Sequence, residues 1–150
     1  MKTSAGILLY RFTSKKLEVF LVHPGGPFWK NKDEGAWSVP KGEYGEEEDA
    51  LKAAIREFKE ETGISISGNF ISLTQVKLKS GKLVKAWALE KDIDPSAVKS
   101  NTFSLEWPPK SGKKIEVPEV DRAEWFSIKE AKIKINAGQL PLLDELAAKV

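Results

Sequence analysis

The stretch GEYGEEEDALKAAIREFKEETGI, residues 42–64, decides how the chain is read. From about residue 47 to residue 62, Ala50, Leu51, Ala54, Ile55 and Phe58 recur at spacings of three and four, the period of a helix with one apolar face. Acidic residues crowd the predicted first turn, as the helix dipole favours. Gly63 follows as a left-handed cap, and Ile64 is placed to pack back on the helix. Glu57, Glu60 and Glu61 then stand at i, i+3 and i+4, which puts three carboxylates on one face within one turn. A hard divalent cation such as magnesium takes oxygen ligands and keeps several waters. Such a face, joined by a backbone carbonyl, would make an open site for a phosphate substrate. The ordinary alternative is a solvated acidic face, or one that meets a protein partner without metal.

Outward from this helix, residues 4–12 and 17–23 are branched and aromatic runs on either side of a polar turn, and predict a hairpin. Prolines and glycines make residues 23–29 a loop. Residues 36–39 read as a strand ended by Pro40, with Lys41 and Gly42 in the turn beyond. After the helix, residues 70–79 and 83–90 flank Ser80-Gly81 as a second hairpin. A short helical turn is expected within 92–98, a strand at 101–107, a basic flexible connection at 110–114 and a last strand at 122–126. Ser127 with Glu130 fits a capping box, and residues 140–150 read as a terminal helix with Pro141 near its first turn.

Composition narrows the functional classes. The chain has 150 residues, 41% apolar and 31% charged, the profile of one compact domain spanning 1–150. It has no cysteine, which removes disulfide scaffolds, thiol catalysis and cysteine zinc sites, and its one histidine, His23, argues against a multi-histidine metal site. No apolar run approaches the ~18 residues of a membrane span, and no signal-peptide core precedes the first strand pattern, so a cytoplasmic chain is expected. The net charge of +2 conceals a contrast: residues 43–61 hold eight acids and three bases, a local −5 inside an otherwise basic chain. There is no basic stripe or recognition helix, so DNA groove binding is not expected.

The spacing of the fixed residues is more specific than the helix itself. Gly42, five residues, Glu48, seven residues, Arg56-Glu57-Phe58, one residue, Glu60-Glu61, one residue and Gly63-Ile64 resemble the Nudix box without a departure, with seven fixed and two apolar residues over 23 positions. Residues 36–43 resemble the lead-in of that family, and residues 119–126 its closing strand. Residues 23–27, 107–109 and 118–122 are similar to a bacterial subgroup of nucleotide pyrophosphohydrolases near the MutT and diadenosine tetraphosphate hydrolase branches.

The resemblance implies an α/β fold, with a mixed curved β-sheet sandwiched between α-helices. It implies magnesium or manganese held by Glu57, Glu60, Glu61, Glu119 and the Gly42 carbonyl, with Arg56 orienting a glutamate. Glu48 would help to position the site or form a structural ion pair. The implied reaction is attack of a metal-activated water on a diphosphate linkage, with Glu60, Glu61 or Glu119 as the base. Lys41, Lys110, Lys113 and Lys114 are candidates to meet phosphate. Phe28, Trp29 and Trp107 are candidates to stack on a base, whereas Trp37 and Trp125 read as core and His23 as a turn stabiliser. The expected substrate is a dinucleoside polyphosphate such as diadenosine tetraphosphate, turned over by a monomer or homodimer. The alternatives are sanitation of oxidised or non-standard nucleoside triphosphates, and a non-catalytic nucleotide sensor.

Overall fold

A computed structural model describes residues 2–150. Strands β1 (Thr3–Thr13), β2 (Lys16–Pro24) and β3 (Lys41–Glu43) precede helix α1 (Ala50–Thr62). Strands β4 (Ile71–Ser72), β5 (Val76–Lys77), β6 (Leu83–Glu90), β7 (Thr102–Glu106), β8 (Lys114–Pro118) and β9 (Val120–Ser127) follow, then helices α2 (Ile128–Lys134) and α3 (Leu140–Lys149). The main sheet is mixed and seven-stranded, in the order β4-β6-β1-β2-β9, with β3 paired to β1 and β5 to β6. Among the described strands, only β1 and β6 pair in parallel.

Strand β1 is buried on both faces, which explains its unbroken apolar run. Leu8 and Tyr10 face a core shared with α2 and α3, built around Trp37, Ile135, Leu142, Leu143 and Leu146. Ile7 and Leu9, on the opposite face, meet Ala53, Ala54 and Phe58 of α1. The sheet is therefore sandwiched between α1 and the α2–α3 pair, as the resemblance implies. No described helix is long and apolar enough to cross a membrane.

The site depends on where β1 and β2 separate. Beyond the pair Tyr10–Val19 they no longer bond to each other, and residues 38–43 fill the gap. Val22 and Ser38 exchange backbone bonds of 2.9 and 3.0 Å, and the Ile7 N–H donates to the Pro40 carbonyl at 3.1 Å. Gly6 permits this approach, since a Cβ there would lie 2.7 Å from the Pro40 oxygen. The expected strand at 36–39 is corrected accordingly: Trp37 and Ser38 form only isolated bridges, and the strand is Lys41–Glu43, where a turn was expected. Strand-like residues at 36–39 serve as a strap across two elements.

Three other boundaries differ from expectation. Helix α1 starts at Ala50, because the Asp49 carboxylate accepts from the Lys52 N–H at 3.0 Å, so the acids before it lie outside the first turn. The first arm of the second hairpin splits into β4 and β5, and between them the Thr74 N–H donates to Glu145 of α3. The basic connection ends in a strand, β8, which pairs with β7 as a separate two-stranded sheet closed by Trp107 and Lys113. The capped α2, the terminal helix and the short turn at Pro95–Ala97 fall where the sequence predicts them.

His23, fully buried at the end of β2, ties the following loop to β9. Nδ1 lies 2.7 Å from the Asp121 carboxylate and Nε2 lies 2.6 Å from the Lys32 carbonyl, while the ring meets Trp37 edge to face. His23→Ala should cost about 2–4 kcal/mol, from the void plus the loss of these bonds. Urea unfolding of the variant measures this; a loss below about 1 kcal/mol would mean that the loop is held by other contacts.

Candidate active site

Strand β3 and helix α1 meet where a side chain at position 42 would displace a carboxylate. A Cβ on Gly42 would lie 2.0 Å from one oxygen of the Glu57 carboxylate and 2.6 Å from the other. With Glu57 in this position no Cβ fits, so the β3 backbone and this carboxylate face each other directly. Glu57 is 8% exposed, and burial is the main cause that raises its pKa, with Arg56 opposing.

Arg56 gathers three glutamates. Its Nε and Nη2 donate to the two oxygens of Glu48, both at 2.8 Å, while Nη1 donates to Glu57 at 2.9 Å and to Glu60 at 3.1 Å. The fork on Glu48 is the bidentate geometry that fixes a guanidinium in place. Arg56 therefore holds Glu48 below the ordinary carboxylate range, and its own charge is reinforced in return. Glu48 lies just before the Asp49 cap and outside the helix, and reaches the guanidinium from the turn that leads into α1.

Glu61 turns the other way. It accepts from the Lys41 N–H at 3.3 Å and is pushed up to about 8, mainly by burial and then by the nearby Glu119 charge, with Lys41 opposing. Glu119 enters through the last turn of α1. The Glu60 carbonyl accepts from the Asn101 N–H at 2.9 Å, the Asn101 carbonyl accepts from the Glu119 N–H at 2.8 Å, and the Glu119 carbonyl accepts from the Gly25 N–H at 3.1 Å. Burial, then Glu60, raises its carboxyl also. Lys41 is lowered by burial, against the pull of Glu61.

Glu61, Glu119, Lys41 and Trp29 line one cavity of about 240 Å³. Its other walls include Val22, Val39 and Leu78, with Asn136 and Gln139 supplying amides. The two amides escaped the sequence reading. Gln139 is almost fully buried and its Oε1 accepts from the Val39 N–H at 3.0 Å, a bond between residues 100 apart that no local pattern announces. Trp107 and Lys110 belong to the turn between β7 and β8 and do not line the cavity. Lys113 lies in the same turn and Lys114 opens β8, and neither lines the cavity.

An all-oxygen donor set suits a hard divalent cation; burial is the main cause that raises the carboxyls of Glu57, Glu61 and Glu119, and neighbouring carboxylates add to it. Among the described residues, no three carboxylates converge on one point as they stand. Arg56 accounts for this by bonding Glu57 and Glu60 itself.

A glutamate-bearing helix set against a sheet glycine, beside a cavity that Glu61 of the helix and Lys41 of the strand help to line, defines a recognisable class of α/β protein. The chain belongs to the Nudix family, whose model, described as the NUDIX domain, matches residues 1–146. Among solved structures, it is similar to an Ap4A hydrolase of C. elegans in a binary complex, with 25% identity, 99% of this chain and 96% of that chain covered, and a TM-score of 0.66. It is also similar to the NUDIX domain of Shewanella oneidensis NrtR complexed with ADP ribose, with 14% identity, coverage of 98% and 86%, and a TM-score of 0.67. MutT of Aliivibrio salmonicida and Vibrio cholerae shares the fold, with 13% identity, coverage of 99% and 98%, and a TM-score of 0.58. No curated protein sequence matches the chain.

The raised Glu61 carboxyl gives a signed pH dependence. Between its ordinary value of 4.5 and about 8, the folded chain holds a proton that the unfolded chain has released, so stability falls as pH rises through that window. In chelator, the melting temperature should drop from pH 5 to pH 8, and Glu61→Gln should flatten the drop. Magnesium should raise the melting temperature more at pH 8 than at pH 5; an equal rise at both would show that these carboxyls do not bind it.

Proposed function

We propose that the chain hydrolyses a diphosphate linkage in a nucleoside-diphosphate-linked substrate, with magnesium or manganese as cofactor and a dinucleoside polyphosphate such as diadenosine tetraphosphate as substrate. The observation that carries the reading is the meeting of Glu61, Glu119 and Lys41 in one cavity, next to the Gly42–Glu57 contact. The similarity to the C. elegans Ap4A hydrolase over nearly the whole of both chains supports the choice of substrate.

Glu57, Glu60, Glu61, Glu119 and the Gly42 carbonyl would hold the metal, which when bound lowers the pKa of a water and offsets charge on phosphate oxygens. Arg56 acts as a positioning residue, holding Glu57 and Glu60 against the helix. Of the three candidate bases, Glu60 is occupied by Arg56, so we assign removal of the water's proton to Glu61 or Glu119, which border the cavity. Lys41 would meet a phosphate oxygen, an anion that favours its charged form where burial opposes it. Trp29 offers a ring on which a base can stack, and the amides of Asn136 and Gln139 lie across the same cavity.

The second reading is hydrolysis of an oxidised or non-standard nucleoside triphosphate, which the size of the cavity favours because it suits one base. Product analysis separates the two. With purified protein and magnesium, diadenosine tetraphosphate should be turned over in preference to nucleoside triphosphates, oxidised deoxyguanosine triphosphate and nucleotide sugars. Glu61→Gln should lower kcat by about 10²–10⁴-fold. Nucleotide binding without turnover of any of these compounds would replace the hydrolase reading with that of a sensor.

A further inference from the structure

The loop between β2 and the strap carries two adjacent aromatics with opposite surroundings. Trp29 lines the cavity, whereas Phe28 is 58% exposed. Their ring centroids are 5.0 Å apart at 86°, an edge-to-face contact that joins the exposed Phe28 ring to a residue of the cavity wall. The Lys32 ammonium lies 4.3 Å from the centre of the Phe28 ring and 6.0 Å from that of Trp29.

A lone exposed phenylalanine needs no explanation. Here the backbone that presents it is heavily restrained. The Trp29 N–H donates to the Gly26 carbonyl at 3.2 Å and the Lys32 N–H to the Trp29 carbonyl at 3.0 Å. The Lys32 carbonyl is bound by buried His23, and Asp33 accepts from the Trp37 indole and pairs with Lys134. The Gly25 bond to the Glu119 carbonyl fixes the start of the loop to the segment carrying a cavity carboxylate. Leu105 and Val117 of the β7–β8 sheet approach Gly26 from another side. The backbone that carries Phe28 is thus tied to the segment that carries Glu119.

The cavity of about 240 Å³ is below the ~300–1,000 Å³ of pockets that enclose a whole drug-sized ligand. A substrate with two nucleosides must leave one of them outside. We propose that Phe28, with Lys32, is the platform for that outer nucleobase: one base enters beside Trp29, the other stacks on Phe28, and Lys32 moves from the ring to an oxygen of the connecting phosphate chain. The proposal rests on the dinucleoside polyphosphate reading above. An ammonium over an exposed ring makes a weak contact, and a phosphate oxygen offers it a charge-assisted bond in exchange. Stacking on a ring tolerates any base, so this platform selects for the presence of a second base and not for its identity.

The test compares diadenosine tetraphosphate with adenosine tetraphosphate, which has the same number of phosphates and one nucleoside fewer. The ratio of their kcat/KM values, measured with magnesium, should fall about tenfold in Phe28→Ala and be restored in Phe28→Tyr, which keeps the stacking face. The loss should appear in KM rather than kcat, while Lys32→Ala should lower kcat/KM for both compounds, which share the phosphate chain, and leave their ratio near that of the original chain; unchanged kcat/KM for both would overturn the part given to Lys32. If the original chain turns over both compounds and Phe28→Ala leaves their ratio unchanged, the platform is overturned while the two-nucleoside reading stands. If the original chain turns over only adenosine tetraphosphate, both are overturned.

Discussion

The close contact between the Gly42 backbone and the Glu57 carboxylate is the constraint around which the site is organised. A Cβ at position 42 has no room, since it would overlap both carboxylate oxygens. The contact depends in turn on the gap between β1 and β2, which admits residues 38–43 and sets the strap by bonds to Val22 and Ile7. Helix α1 reaches that strap because Ala53, Ala54 and Phe58 bury against Ile7 and Leu9 on one face of β1. Packing of an apolar helix face therefore determines where the carboxylates of the opposite face arrive.

Charge is distributed unequally around this contact. Arg56 neutralises Glu48, Glu57 and Glu60 from one side, by four bonds from a single guanidinium. On the other side, burial and then Glu119 raise Glu61, burial and then Glu60 raise Glu119, and Lys41 is itself disfavoured by burial. The first group is a braced scaffold; the second borders open space. A ligand that brings both a cation and a phosphate would relieve the carboxylates and the lysine together, which is why the two halves of the proposed substrate complex are mutually supportive.

Much of this was legible in residues 42–64, because helix periodicity, a glycine stop and fixed spacing between glutamates are local properties. The pairing of Arg56 with Glu48 was legible from the same spacing, although Glu48 reaches the arginine from the turn before the Asp49 cap and not from two turns of helix. What escaped the reading depends on distant partners. Residues 36–39 have strand-like side chains, and whether they pair is decided by where β1 and β2 part. Lys114–Pro118 becomes a strand only because Thr102–Glu106 lies beside it. Asn136 and Gln139 reach the cavity through the packing of α3 and the strap, and Trp107 and Lys110 were read as loop residues available to substrate although their turn lies away from the cavity lining.

The central claim, that the glycine contact builds a cation site, is tested most directly by titrating manganese into the purified chain and following the free ion by electron paramagnetic resonance. The account predicts one or more sites on the original chain and at least a tenfold weaker affinity in Gly42→Ala, about 1.4 kcal/mol or more, with the fold retained by circular dichroism. Equal manganese affinity in the two proteins would contradict it.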